Sequence, residues 1–304
     1  MSSALRLGLT RSRRIMATTA SITAVGTDPG SLIDGGLGEL ERLEQLWSRF
    51  REDSDISRLN RADGSPVDVA PETAALLAHM RRAHEGTHGS FDPRRLRIQV
   101  SAGDDSSLDG SPLPALSPAR VDGDLASWFD LLSPTVVVPQ RGIAFDAGGI
   151  GKGMAADMVA LLLVNRGADT VCVNVGGDLR IASRDGHEID WPVMVGPPRE
   201  VVTTTETLSL RSGAVATSDI AARRRPDGSV AAHIVADDGP ARTDVVGATV
   251  VAGTAAWAEA WTKHLFMVEP SRALADVDNA GLAARVVLAD GTITHSPRWI
   301  EFCR

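Results

Sequence analysis

Apolar residues fall into short runs whose period changes along the chain. Between residues 31 and 50 they recur at Leu40, Leu43, Trp47 and Phe50, the spacing of one helix face, and predict a helix. Pro71 opens a second predicted helix, carried by Leu76, Leu77, Met80 and His84 and stopped near Gly86 and Gly89. A third runs through Met154, Met158, Leu161 and Leu162 to Gly167, and a fourth covers residues 255–267. Short β-rich runs predict strands at 136–138, 143–145, 170–175, 191–195, 206–210, 230–235, 245–251, 285–288 and 299–303. The polar segment DSDISRLN, residues 53–60, reads as backbone that caps and turns, and residues 104–118 read as a surface loop. Helices and strands mix without strict alternation, which predicts an α+β domain, and no internal repeat is visible.

Composition narrows the class. A chain of 304 residues that is 43% apolar buries a sizeable core. A net charge of −8 argues against a protein whose task is gripping nucleic acid, and points to a small-molecule or protein partner. The two cysteines, Cys172 and Cys303, stand far apart inside apolar runs and make neither a disulfide framework nor a metal site. They read as reduced thiols of a cytoplasmic protein. The opening MSSALRLGLTRSRR has arginines but no apolar run after them, so it does not read as a signal peptide. Residues 1–14 are expected to be a mobile extension and 15–304 the domain. No run approaches the ~20 apolar residues of a membrane span, so no membrane insertion is expected.

The candidate chemistry begins at DAGGIGKGMAAD, Asp146 to Asp157, where Gly148, Gly149, Gly151 and Gly153 stand between a strand-like run and a helix. Glycines there let backbone approach a ligand, the free N–H groups of a helix start favour phosphate oxygens, and Lys152 adds a point charge. Spacing excludes two familiar motifs. A P-loop needs four residues between its first Gly and the Gly-Lys pair, with Ser or Thr after the Lys, where Gly153 stands here; a dinucleotide fingerprint needs GxGxxG, and this sequence offers GxGxG. Alone, the stretch is better read as a tight turn. Its company changes that: a second pair, Gly176 and Gly177, flanked by Asn174 and Asp178 in NVGGD, follows the next strand-like run. Two Gly-Gly turns, each beside a carboxylate, can build one concave backbone surface.

With these motifs the chain resembles the FAD:protein FMN transferase (ApbE) family, whose pattern runs DxGGxxKGxxxD and then NxGGD. The similarity continues collinearly over about residues 15–268. MATT at 16–19 resembles the family's MGTT, DSDISRLN its PxSxxSxLN segment, GSFDP at 89–93 its GxFDP, VATSD at 215–219 its VATSG, and HIV at 233–235 the start of its HIIDPxTG. The resemblance implies a single α+β domain with an elongated FAD cleft. It further implies transfer of the FMN half of FAD onto a threonine hydroxyl of an acceptor flavoprotein, with release of AMP and with Mg²⁺ as metal. On it, the FAD contacts are Met16, Asn60, Asp92, Gly148, Gly149, Lys152, Gly176, Gly177, Asp178, Thr217, Ser218 and His233. Lys152, His233 and Glu259 are the catalytic candidates, and the Gly151 carbonyl, Glu259 and Thr262 the metal candidates. Some of these have plainer readings. Asn60 and Asp92 are of types that cap turns, and Ser218, Arg223 and Arg224 can be a turn hydroxyl and solvated charges.

Two departures stand out. The family's ADxxxT metal helix here reads Ala258-Glu259-Ala-Trp-Thr262-Lys263: Glu259 keeps a carboxylate, but Lys263 replaces the threonine, and an ammonium is no metal ligand. Thr262 lies about 100° around the helix from that position. Either the Lys263 ammonium occupies part of the cation's place, with Lys152 and Lys263 neutralising the pyrophosphate, or Glu259 and Lys263 are a solvated pair at i,i+4. The second departure follows His233, where the Asp-Pro of the family is missing. The altered helix keeps two other functions open: an FAD-binding protein without transfer activity, and a hydrolase giving FMN and AMP.

Overall fold

The computed structural model describes residues 8–107, 110–118, 128–196, 205–219, 235–236, 239–240, 242 and 244–304. Its centre is an antiparallel sheet of β1 (Leu9–Ile15), β2 (Thr18–Gly26), β3 (Ala168–Val175), β4 (Asp178–Ser183), β5 (Gly213–Asp219), β6 (Val245–Ala252), β7 (Ala283–Leu288) and β8 (Ile293–His295). The order across the sheet is the order along the chain, β1 to β8. Between β2 and β3 the chain leaves to form α1 (Pro29–Trp47), α2 (Asp55–Arg61), α3 (Pro71–Gly86), α4 (Leu96–Ser101) and α5 (Gly151–Asn165). Between β6 and β7 it forms α6 (Ala255–Met267) and α7 (Pro270–Asn279). This is the mixed α+β architecture the sequence predicts.

Period-2 alternation sends apolar residues of the sheet into cores on both of its faces. On the helix side, Ala20, Ile22, Val171, Val173 and Val175 pack with Leu37, Leu40, Val159 and Leu163. On the other side, Leu179, Ile181, Val215 and Val251 meet Val193, Leu208 and Trp299 beneath a hairpin of Trp191–Val195 and Glu206–Leu210. Each fully buried Leu, Ile or Val contributes about 1.5–3 kcal/mol relative to exposure.

Several elements differ from expectation, each for a local reason. Residues 9–14, expected within a mobile extension, pair with β2 as most of β1. Residues 54–61 are more than a turn: the Ser54 side chain accepts from Ser57 N and starts α2. Residues 143–145 are not a strand; the Asn60 side chain takes the place of a partner strand, accepting from Phe145 N at 2.7 Å and donating to Phe145 O at 2.9 Å. Residues 297–301 form a 3₁₀ turn instead of a closing strand, drawn inward by Trp299, whose indole donates to Glu206 at 2.8 Å. The expected strand at 230–235 lies almost wholly outside the described residues.

Two residues of the glycine motif fix how α5 crosses α6. Gly153, in the first turn of α5, passes so close to the start of α6 that a Cβ there would stand 2.4 Å from the Ala255 carbonyl oxygen. One turn later, Asp157 accepts from Ala255 N at 2.8 Å and Ala256 N at 2.9 Å, capping α6 from another helix. The second half of the glycine motif is thus a device for joining two helices. Asp157→Ala is expected to lower unfolding free energy by about 2 kcal/mol, since two buried N–H groups lose their acceptor. Urea unfolding checks this, and an unchanged midpoint would contradict the capping role.

Candidate active site

Antiparallel pairing carries three separate pieces of chain to one end of the sheet. They are the two-residue turn at Met16 and Ala17, the turn at Gly176 and Gly177, and the end of β5 at Thr217–Asp219. Met16 and Ala17 hold φ of 54° and 59°, left-handed backbone that costs on the order of 1 kcal/mol each outside glycine. Gly176 is required by closeness as well as by its φ of 65°, because a Cβ would stand 2.5 Å from Thr18 Oγ1 of the neighbouring turn. Asn174 finishes this second turn by accepting from Gly177 N at 2.8 Å.

Over this end lies the segment leading into α5, and between them opens a cavity of about 880 Å³. Its wall includes Met16, Asp92, Gly148, Gly149, Gly151, Lys152, Gly176, Thr217, Ser218 and Lys263, so most of the residues singled out in the sequence converge here. The volume is in the range of small-molecule and cofactor sites. The Asp146 carboxylate accepts from Gly148 N at 3.0 Å and shapes the turn.

The charged centre lies where Lys152, on the first turn of α5, enters between Glu259 of α6 and Asp178 of β4. Its ammonium donates to Glu259 Oε1 and stands 2.8 Å from Asp178 Oδ2. Glu259 is fully buried, and its other oxygen accepts from Gly153 N at 2.8 Å. Lys263, one turn further along α6, brings a second ammonium within 3.8 Å of Glu259 Oε1. That ammonium donates at 3.2 Å to both Ser218 Oγ and Thr262 Oγ1, and these two hydroxyls are 2.7 Å apart. The Glu259 and Lys263 pair is therefore not a solvated one: Glu259 has no exposure and the Lys263 side chain only 15%.

Burial disfavours the charged form of each of these groups, and the distance to opposite charges decides which way its pKa moves. Lys152 is pulled down by burial, yet Asp178 and Glu259 together hold it above its ordinary value. Lys263 lies farther from its carboxylate, so burial wins and holds it below the ordinary lysine value. Asp178 is pushed up to about 7, by burial first and by the charge of Glu259 second, against the pull of Lys152. Its geometry agrees, because among the described residues Asp178 Oδ1 receives no donor and is free to keep a proton.

Some expected contacts have other work. Asn60 is spent on the Phe145 backbone and does not line the cavity. Asp92 lines it while accepting from Arg94 N at 2.9 Å and from the Arg94 guanidinium. Thr262 is buried, donating to Glu259 O at 2.7 Å. His233, Arg223 and Arg224 lie outside the described residues. Two groups were not legible beforehand. Arg49, just past α1, is 2% exposed, lines the cavity and pairs with Asp104 at 2.5 Å and Asp146 at 3.4 Å. Ser90 bonds His264 Nδ1 at 2.8 Å, whose Nε2 reaches Asp276 at 3.1 Å, tying the Gly89–Pro93 segment to α6 and α7. No spacing marks either group, since the partners are far apart in sequence.

The ionisation of Asp178 gives a pH signature. Neutral below about 7 and charged above it, Asp178 adds a negative charge beside Lys152 as pH rises, so an anionic ligand binds best on the acid side. Affinity for inorganic pyrophosphate, followed by calorimetry, is expected to fall by about tenfold from about pH 6 to about pH 8. Asp178→Asn should flatten that dependence; a slope kept in the variant would assign it to another group.

Comparison with known proteins agrees with the geometry. The profile of the ApbE family matches residues 16–286. The FAD:protein FMN transferase of Escherichia coli K12 is 24% identical over 271 residues, covering 83% of this chain and 75% of that protein. The protein of the same name from Treponema pallidum is 26% identical over 284 residues, covering 85% and 78%. In three dimensions, the ApbE protein of Thermotoga maritima superposes with a TM-score of 0.81 at 24% identity, over 98% of this chain and 99% of that one. The apo flavinyl transferase ApbE of Pseudomonas stutzeri gives 0.79 at 19% identity, over 99% and 98%. The match over residues 16–286 shows that this chain belongs to the ApbE family.

Proposed function

We propose that the chain is a flavinyltransferase that binds FAD with its pyrophosphate against the glycine turn and transfers FMN to a threonine hydroxyl of an acceptor flavoprotein. The observation that carries this reading is the position of Lys152. It lines, with Gly148, Gly149, Gly151 and Gly176, a cavity large enough for a dinucleotide, and its ammonium stands 2.8 Å from Asp178 Oδ2, directly after the Gly176–Gly177 turn. Relatives that share the fold are named for this reaction. In it, the acceptor oxygen forms a bond to the FMN phosphorus, the bridging P–O bond breaks, and AMP leaves. Lys152 neutralises charge gathering on the pyrophosphate, and the buried surroundings strengthen that effect. The acceptor hydroxyl must lose its proton as it attacks, and we assign that step to His233. Met16, Thr217 and Ser218 are proposed as FAD contacts along the same wall.

Mg²⁺ does not fit the residues present. Glu259 spends one oxygen on Lys152 and the other on Gly153 N, the Thr262 hydroxyl oxygen accepts from Lys263, and the Lys263 ammonium also stands 3.8 Å from Glu259 Oε1. Among the described residues no group of three or more acidic, histidine or cysteine side chains is placed to hold a metal, whereas Mg²⁺ requires a near-octahedral oxygen shell. We place the protein in the cytoplasm, on its two free cysteines; among the described residues no helix is long and apolar enough to cross a membrane. The altered α6 favours, as second reading, an FAD-binding protein without transfer.

Incubation with FAD and a threonine-bearing acceptor, followed by mass analysis of all products, separates the readings. Flavin joined to the acceptor with stoichiometric AMP is expected. Free FMN and AMP would mean hydrolysis, and unchanged FAD bound to the protein would mean a carrier. His233→Ala is expected to slow transfer by about 10²-fold or more. Unaltered transfer by that variant would remove His233 from the mechanism.

A further inference from the structure

The Lys263 ammonium lies among oxygen atoms of the kind that hold hard cations: a buried carboxylate oxygen of Glu259 and the hydroxyls of Ser218 and Thr262. These come from two elements, β5 and α6, and converge on one point. The aliphatic stem runs beneath the glycine turn, since a Cβ on Gly149 would stand 3.4 Å from Lys263 Cε. The charged head thus reaches the floor of the cavity from the side where Lys152 also enters.

Charge counting points the same way. Lys152 and Lys263 face Glu259 and Asp178, so two positive groups stand against two acidic ones inside the fold. With Asp178 ionised and before any anionic ligand enters, a divalent ion added to these four would leave buried positive charge unbalanced, which is costly in a site of low dielectric. Displacing Lys263 to make room would strip its ammonium of Ser218 and Thr262. A pyrophosphate, by contrast, arrives as the anion that two lysine heads on one floor can receive.

We propose that the Lys263 ammonium is the resident cation of this site, held among the oxygens of Glu259, Ser218 and Thr262, so that the chain binds FAD without metal. This rests on the reading of the cavity as an FAD site. A tethered cation differs from a bound one in a testable way: its charge cannot be removed by a chelator, and it leaves no position for Mn²⁺ or Mg²⁺.

Two measurements on the intact protein test the idea. The first is direct Mn²⁺ binding without flavin, followed by the paramagnetic resonance of free Mn²⁺. The native protein is expected to take up none at about 1 mM, and Lys263→Thr to gain a site, since the oxygens around Lys263 are then released. Stoichiometric Mn²⁺ uptake by the native protein would overturn the proposal whether or not FAD binds. The second is FAD affinity in EDTA and in about 5 mM Mg²⁺. The native values should agree within about twofold; Lys263→Met should weaken binding about tenfold or more in both media; Lys263→Thr should bind weakly in EDTA and recover with Mg²⁺. Mg²⁺ strengthening the native protein about tenfold, or Lys263→Met binding as the native protein does, would contradict it. Thermal melts of both variants separate lost binding from lost folding. A folded native protein that binds neither FAD nor Mn²⁺ would refute the FAD reading, and with it a role in FAD binding for Lys263, while an FAD-binding protein that also takes Mn²⁺ would refute only the tethered cation.

Discussion

Glu259 has no exposure to solvent, and an unpaired carboxylate could not remain ionised there. Its presence requires cations and donors to be brought to it, and the surrounding structure supplies them from α5: the Lys152 ammonium to one oxygen and Gly153 N to the other. For both to arrive, α5 must begin within contact of α6, which the missing side chain of Gly153 permits and the Asp157 cap secures. Lys152 in turn draws Asp178 into the same cluster and so fixes the Gly176–Gly177 turn beside the start of α5. One buried ion cluster therefore holds the two glycine turns facing each other. Removing a single member of such a cluster leaves a buried charge unpaired, which typically costs about 3–5 kcal/mol.

Function arises from the same arrangement because the cluster is not closed on the cavity side. Lys152 and Lys263 both line the cavity while their carboxylate partners lie behind them. The acids orient the lysines and leave the exposed part of each head to an anion. The backbone of the glycine turn and the left-handed turn at Met16 and Ala17 complete a wall that admits a ligand closely. Binding and positioning are thus prepared by the fold before any ligand arrives, which is the condition under which electrostatic stabilisation of a transferring phosphoryl group is most effective.

Much of this was legible in the sequence because it is local. A Gly-rich stretch entering a helix, a second Gly-Gly pair at a strand end, and the helix-face spacing of α1 and α3 are patterns within a dozen residues or so, and the bounds of α6 were read as they are found. The illegible part depends on residues far apart in sequence. Asn60 looked like a ligand contact or a turn cap, and instead satisfies the backbone of Phe145, 85 residues on. Arg49 carries no motif, yet joins Asp104 and Asp146 at the cavity wall. Glu259 and Lys263 have the spacing of a surface ion pair, and only the packing of α5 and β5 against α6 shows that pair to be buried. Of the short strand expected at 299–303 only the end pairs, Cys303 bridging Leu208, while the Trp299 indole draws the residues before it into a 3₁₀ turn.

The account is tested most directly by a crystal structure of the protein grown with FAD and Mn²⁺, with diffraction recorded at the manganese edge. It predicts the pyrophosphate against the Gly148–Lys152 turn, within hydrogen-bond reach of the Lys152 and Lys263 ammonium groups, and no anomalous peak between them. A manganese peak beside Glu259, or flavin bound away from the glycine turns, would contradict it.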